Sequence, residues 1–193
     1  GASVGALSAS TSSAQKGAYA GTATALSATN KKSYSTPDDA ARGFAEENYS
    51  ASRYIRHEYG AVIYSASSGG KTTYHYTPVV VGTPHGVDYG AFQDLPTAVA
   101  TVHTHPRFNE FSRPDKDNAV SRGMNNYMVG PNLKLSVYYF DYRNIRELGV
   151  IEPTPLSDSQ KIKLAEQYQI SWDNHLKTCP PKYDCDTIPW PNE

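Results

Sequence analysis

The 193-residue sequence predicts a single α+β domain with extensions at both ends. Two patterns predict it. Between residues 58 and 140, short runs rich in Val, Ile, Thr and Tyr are separated by Gly/Pro/Asn turn signals, as strands are. Around residues 36–50 and 157–177, apolar side chains recur instead at helical spacing. The domain is expected over 36–152, with 1–35 as an N-terminal extension and 153–193 as a C-terminal helix and Pro-rich tail packed on it.

Residues 1–35 are mostly Ala, Ser, Gly and Thr, and bury too little apolar surface to offset their own ordering entropy. They read as a linker, a translocation segment or the end of an upstream domain. At Thr36 the composition changes. Thr36 as N-cap, Pro37 at the first helical position and Asp38 and Asp39 in the first turn mark a helix start. Ala40, Ala41, Phe44, Ala45 and Tyr49 give that helix one apolar face to about residue 50.

Glu58 heads an apolar run to Ser65. The turn Ser67–Gly70 returns the chain through Lys71 to Val81 as a hairpin. His75 and Asp88 belong to no motif and are expected at the surface. The loop Gly82-Thr83-Pro84-His85-Gly86 could edge a substrate groove. Thr97 to Val102 is β-branched and short-chained, which favours a strand, and Pro106 ends it because proline cannot donate to a ladder.

Ser112 is placed to cap a helix from about Pro114 to Gly123, with Asp115 and Asp117 in its first turn. Asn126–Val129 and Leu133–Phe140 read as strands about the turn Gly130-Pro131-Asn132, their tyrosines packed in the core or on the sheet, or else lining a substrate channel. Ile162, Ala165, Tyr168, Trp172 and Leu176 form the face by which the last helix docks. Cys179 and Cys185 could close a small disulfide loop or stay as free thiols.

The chemistry concentrates in Thr101-Val102-His103-Thr104-His105-Pro106 and the nearby Phe111-Ser112-Arg113-Pro114-Asp115. Side chains two apart on a strand face the same way, so His103 and His105 point together. Two imidazoles and a carboxylate leave a fourth position open to water, which is how catalytic zinc sites are built. Upstream stands Glu58, at a strand head in Glu58-Tyr59-Gly60.

With that glutamate, the sequence resembles the JAB/MPN metallopeptidase superfamily, whose JAMM motif is a strand Glu, then His-x-His-Pro, then Ser-x-x-Asp. The match covers roughly Thr36 to Val150, and is nearer still to a bacterial branch associated with Rhs-type and other polymorphic toxins. The resemblance implies a JAB/MPN-like (cytidine-deaminase-like) mixed β-sheet flanked by helices. It also implies a zinc-dependent peptidase or isopeptidase: His103, His105 and Asp115 as Zn2+ ligands, Glu58 as general base and Ser112 as oxyanion donor. Thr104 falls on the opposite face of its strand. The spacing from His105 to Asp115 is one residue shorter than in the best-known eukaryotic members, which leaves Asp117 as a rival ligand.

The partners so implied are a protein or peptide substrate and a cognate immunity protein, with the chain secreted or delivered as a toxin or effector. Two other readings compete: a binding scaffold of the same fold, or a metal-dependent hydrolase of peptidoglycan or another non-protein substrate. Net charge is −1 and the pI about 6.7, so no basic footprint for nucleic acid or anionic lipid is present. The sequence has no apolar stretch long enough for a membrane span and no signal-peptide pattern at its start.

Overall fold

The computed structural model describes residues 32–168, an α+β arrangement of a mixed seven-stranded sheet with three α-helices among those residues. The cysteine pair, Trp172, Leu176, the tail and most of the N-terminal extension lie outside the described residues.

Helix α1 (Pro37–Ile55) starts as the sequence predicts: the Thr36 hydroxyl accepts the Asp39 N–H at 3.1 Å, with Pro37 at its first position. It runs five residues past the expected end and stops at Arg56, which adopts a left-handed φ of 59°. Strands β1 (Tyr59–Ser68) and β2 (Lys71–Tyr76) form the expected hairpin, while Thr77 and Pro78 split off β3 (Val80–Val81), which pairs with the start of β1. After a 3-10 turn (Gly90–Asp94) come β4 (Ala98–Thr104), α2 (Arg113–Arg122), β5 (Asn125–Val129), β6 (Lys134–Tyr139), β7 (Asn144–Val150) and α3 (Asp158–Gln167).

The sheet order is β2-β1-β4-β5-β6-β7, with β3 also on β1. β4 and β5 are parallel and the other pairs antiparallel. Parallel neighbours need a crossover, and α2 supplies it. β7 was not anticipated from the sequence. It is an exposed edge strand whose Leu148 and Val150 carbonyls accept from the Arg42 guanidinium of α1, which blunts the edge.

Both faces of the sheet centre are covered. On one face, α1 packs Ala40, Ala41, Phe44 and Ala45 against Ala61, Ile63, Ala100, Val102, Tyr127 and Val129. On the other, Val62 and Tyr64 meet Tyr89, Phe92 and Leu95, and Met128 meets Phe111, Ala119 and Tyr138. β1 is therefore buried over its first six residues rather than on alternate ones. Tyr127 and Tyr138 belong to the core.

Two expectations need correction. His75 is not a surface residue but 4% exposed: its ring stacks on Tyr64, its Nδ1 meets the Lys32 carbonyl at 2.9 Å and its Nε2 the Thr73 hydroxyl at 2.9 Å. With both nitrogens engaged it braces the edge hairpin. Ile162 is 59% exposed, so α3 docks through Ala165 and Tyr168 of the expected face, joined by Leu164. Residues 157–163 are all exposed, so the start of α3 projects past the domain and only its last turn is seated.

Phe44 is fully buried and meets Tyr76 edge-on at 5.6 Å, joining α1 to the sheet. Phe44→Ala should cost about 3–5 kcal/mol, a large part of the stability of a domain this size, seen as a lower midpoint in urea.

Candidate metal centre

The site lies at the carboxyl end of β4 on the face away from α1, where loops after parallel strands commonly gather ligand groups. Thr101 and His103 point to that face while Ala100, Val102 and Thr104 point to α1, as strand alternation requires. Register brings in the glutamate. β1 runs antiparallel to β4 with Gly60 opposite His103, and continuing that pairing places Glu58 opposite His105. Gly60 is constrained here, because a Cβ on it would meet the Tyr89 ring and the Val87 side chain at 2.7 Å.

Glu58, His103 and His105 are all buried, and their ligand atoms lie within 4.8 Å of one another. That group could hold a metal ion. The two Nε2 atoms face each other at 2.9 Å, and Glu58 Oε1 is 3.6 Å from that of His105. Asp115 joins from the first turn of α2, its Oδ2 3.3 Å from His103 Nε2 and 3.1 Å from His105 Nε2. Asp117 does not join: it is largely exposed and faces Arg113 at 3.7 Å, one turn back on its own helix.

Ser112 caps α2. Its Oγ accepts the Asp115 N–H at 3.2 Å, and its own N–H donates to Asp115 Oδ2 at 2.9 Å. This capping box aims the carboxylate at the histidines. The Ser112 hydroxyl proton is left over, since Oγ acts as acceptor in that bond.

Behind the histidines stands Asn126 of β5, which the motif did not single out. Its Nδ2 donates to the Asp115 backbone carbonyl at 3.3 Å. A carbonyl can only accept, so the amide oxygen must face the other way. There it accepts from Thr101 Oγ1 at 3.1 Å and meets His103 Nδ1 at 3.1 Å. His103 Nδ1 is therefore the donor to that oxygen, which leaves Nε2 as the nitrogen able to ligate once it carries no proton, as in ligating histidines held by a second partner. His105 Nδ1 is buried and has no such partner among the described residues. Asn126 could have been suspected as a polar residue in an apolar strand, but its partners follow only from the β4–β5 register.

Thr104 anchors the other side of β4. Its Oγ1 accepts the Tyr59 N–H at 2.9 Å and lies 2.5 Å from Ser52 Oγ, which bonds the His57 carbonyl at 2.6 Å. These buried bonds tie the end of α1 and the residues flanking Glu58 to the end of β4.

Burial pushes the Glu58 carboxyl up to about 7; nearby His105 opposes that and Asp115 adds to it. Burial also acts to raise Asp115, but the charge and N–H bonds of His103 and His105 when these are protonated outweigh it and hold that carboxyl well below the usual range. Tyr89 sits close behind, its phenol raised by burial and then by the Asp115 charge. A cavity of about 30 Å³ among Tyr89, Glu58, His103, Asp115 and Asn126 is large enough for a water-sized group. A larger one, about 290 Å³, opens on the outer side past Glu58, His105 and Ser112.

No family model, curated protein or solved structure matches this chain. Among the described residues no helix is long and apolar enough to cross a membrane.

Asn126→Leu should release the His103 tautomer. Nitrogen NMR of the imidazole, showing one dominant Nδ1–H form in the parent, should show a mixture in the variant. Thr104→Val should lower stability by about 1–3 kcal/mol, read from urea unfolding, because the buried Tyr59 N–H loses its acceptor.

Proposed function

We propose that the chain is a metal-dependent amide hydrolase, a peptidase or isopeptidase, with His103, His105 and Asp115 as ligands of Zn2+. One observation carries this reading: two imidazole Nε2 atoms 2.9 Å apart, with a carboxylate oxygen 3.3 and 3.1 Å from them, at the end of one strand. Lone pairs and negative charge at that separation repel unless a cation or a proton lies among them. The donor set of two histidines and one carboxylate, with ligand atoms about 3 Å apart, suits zinc with a position left open. Zinc held there supplies Lewis-acid chemistry, acidifying water and polarising a carbonyl.

The remaining steps belong to the side chains. Glu58, buried beside His105 and with a carboxyl near neutrality, takes a proton from the attacking water at Oε1 and passes it to the leaving amine nitrogen. Ser112 Oγ, already accepting from the Asp115 N–H, donates its own proton to the carbonyl oxygen as charge develops there. Asn126 holds His103 so that its lone pair stays on Nε2. The motif resemblance adds a setting, that of a bacterial toxin or effector domain.

A second reading is favoured by the closeness of Glu58 to the two histidines: Glu58 itself is the third ligand and Asp115 only a neighbour. Substitution separates the two. Purified protein should carry about one zinc per chain by plasma mass spectrometry, and His103→Ala or His105→Ala should lose it. Glu58→Gln should keep the metal while hydrolysis of amide substrates falls by about 10²–10⁴. Asp115→Ala should lose metal and Asp117→Ala should not. Loss of zinc in Glu58→Gln with retention in Asp115→Ala would establish the second reading.

A further inference from the structure

The 290 Å³ cleft begins at the cluster and runs outward between two loops. Glu58, His105 and Ser112 form its inner end. Its walls are Pro84 and His85 on one side, and Pro106 through Phe108 with Glu110 and Phe111 on the other. Apart from His85, Arg107 and Glu110, the side chains beyond the inner end are proline or phenylalanine.

Phe108 is the unusual member. It is 57% exposed, although the domain has ample core in which to bury an aromatic ring. Its loop is nevertheless fixed. The Pro106 carbonyl accepts from the Arg53 guanidinium, and Asn109 Oδ1 accepts the Asn132 N–H at 2.8 Å. Gly130 lets the loop lie flat on the β5–β6 turn, since a Cβ there would meet the Phe108 carbonyl oxygen at 2.5 Å. The Arg107 guanidinium lies 5.8 Å from the centre of the Phe108 ring and steadies it from one side. An apolar ring held in water by a rigid loop, at the mouth of a cleft continuous with the cluster, is placed to cover something that enters the cleft.

We infer that this cleft is a subsite for a bulky apolar side chain, aromatic or branched aliphatic, next to the scissile amide of a peptide substrate, with Phe108 as its specificity-determining residue. The inference rests on the proposed zinc hydrolase. The cleft volume accommodates a side chain of that size, whereas a substrate with only glycine beside the scissile bond would leave the Phe108 and Pro84 surfaces wet. Burying an aromatic side chain contributes about 1.5–3 kcal/mol, or about 10- to 150-fold in affinity.

The test uses the zinc-loaded full chain and two hydroxamate probes of the same backbone, one bearing a benzyl group and one a methyl group, with binding followed by calorimetry. The benzyl probe should bind at least about tenfold more tightly. Phe108→Ala, a surface change that leaves the core intact, should cut that preference at least threefold, and Phe108→Trp should retain it. Ile145→Ala, exposed on the far edge strand, should leave it unchanged. Equal affinities in the parent, or a preference indifferent to Phe108→Ala, would overturn the subsite and leave the metal centre standing. Failure of both probes to bind the zinc-loaded chain would instead overturn the zinc reading and the subsite with it.

Discussion

Everything at the candidate centre depends on holding together groups that repel. Two imidazole nitrogens and a carboxylate oxygen meet within about 3 Å, with a second carboxylate close by. No local stretch of chain would keep them so. They stay because each is fixed by hydrogen bonds of the scaffold: Glu58 by its backbone bonds to Thr83 and Gly82, His103 by the β1–β4 ladder, His105 by its N–H to the Val129 carbonyl, and Asp115 by the capping box of α2. The cost of convergence is spread over the sheet and a helix start, both secured by apolar burial on two faces.

The same scaffolding divides labour between the two faces of β4. Toward α1, Thr104 and Ser52 form a closed set of buried bonds that locks strand against helix. Away from α1, Thr101, Asn126 and His103 form another that fixes a tautomer. Strand alternation puts a structural residue between two chemical ones, so Thr104 can serve stability without entering the cluster. Ser112 and Asp115 show that structure and chemistry can also share one group, because a carboxylate has lone pairs enough to accept a backbone N–H and still face a histidine.

Glu58 differs from the other carboxylate. Its side chain is 8% exposed against 18% for Asp115, and only His105 opposes the effect of burial, so its carboxyl rises to about 7, while His103 and His105 together hold that of Asp115 low. Two acids in one cluster with their proton affinities driven apart is the arrangement that lets one hold charge and the other exchange a proton. On the outer side the cleft turns apolar, and Phe108 is left at its edge by a loop too constrained to bury it.

Local chemistry alone determined a good deal: the start of α1 from Thr36 and Pro37, the cap of α2 at Ser112, the β1–β2 hairpin and the pointing of His103 and His105 to one side, because caps, turns and alternation act over only a few residues. The α+β class followed from the same periodicities. Tertiary structure decided the rest. The expected turning-in of Asp115 rather than Asp117 needed the docking angle of α2, and the role of Asn126 needed the β4–β5 register. Burial of His75 needed the packing of the edge hairpin, and exposure of Ile162 needed the seat of α3. Each depends on groups far apart in the chain being brought together, and which surfaces meet is set by packing the whole molecule, not by the preferences of any one segment.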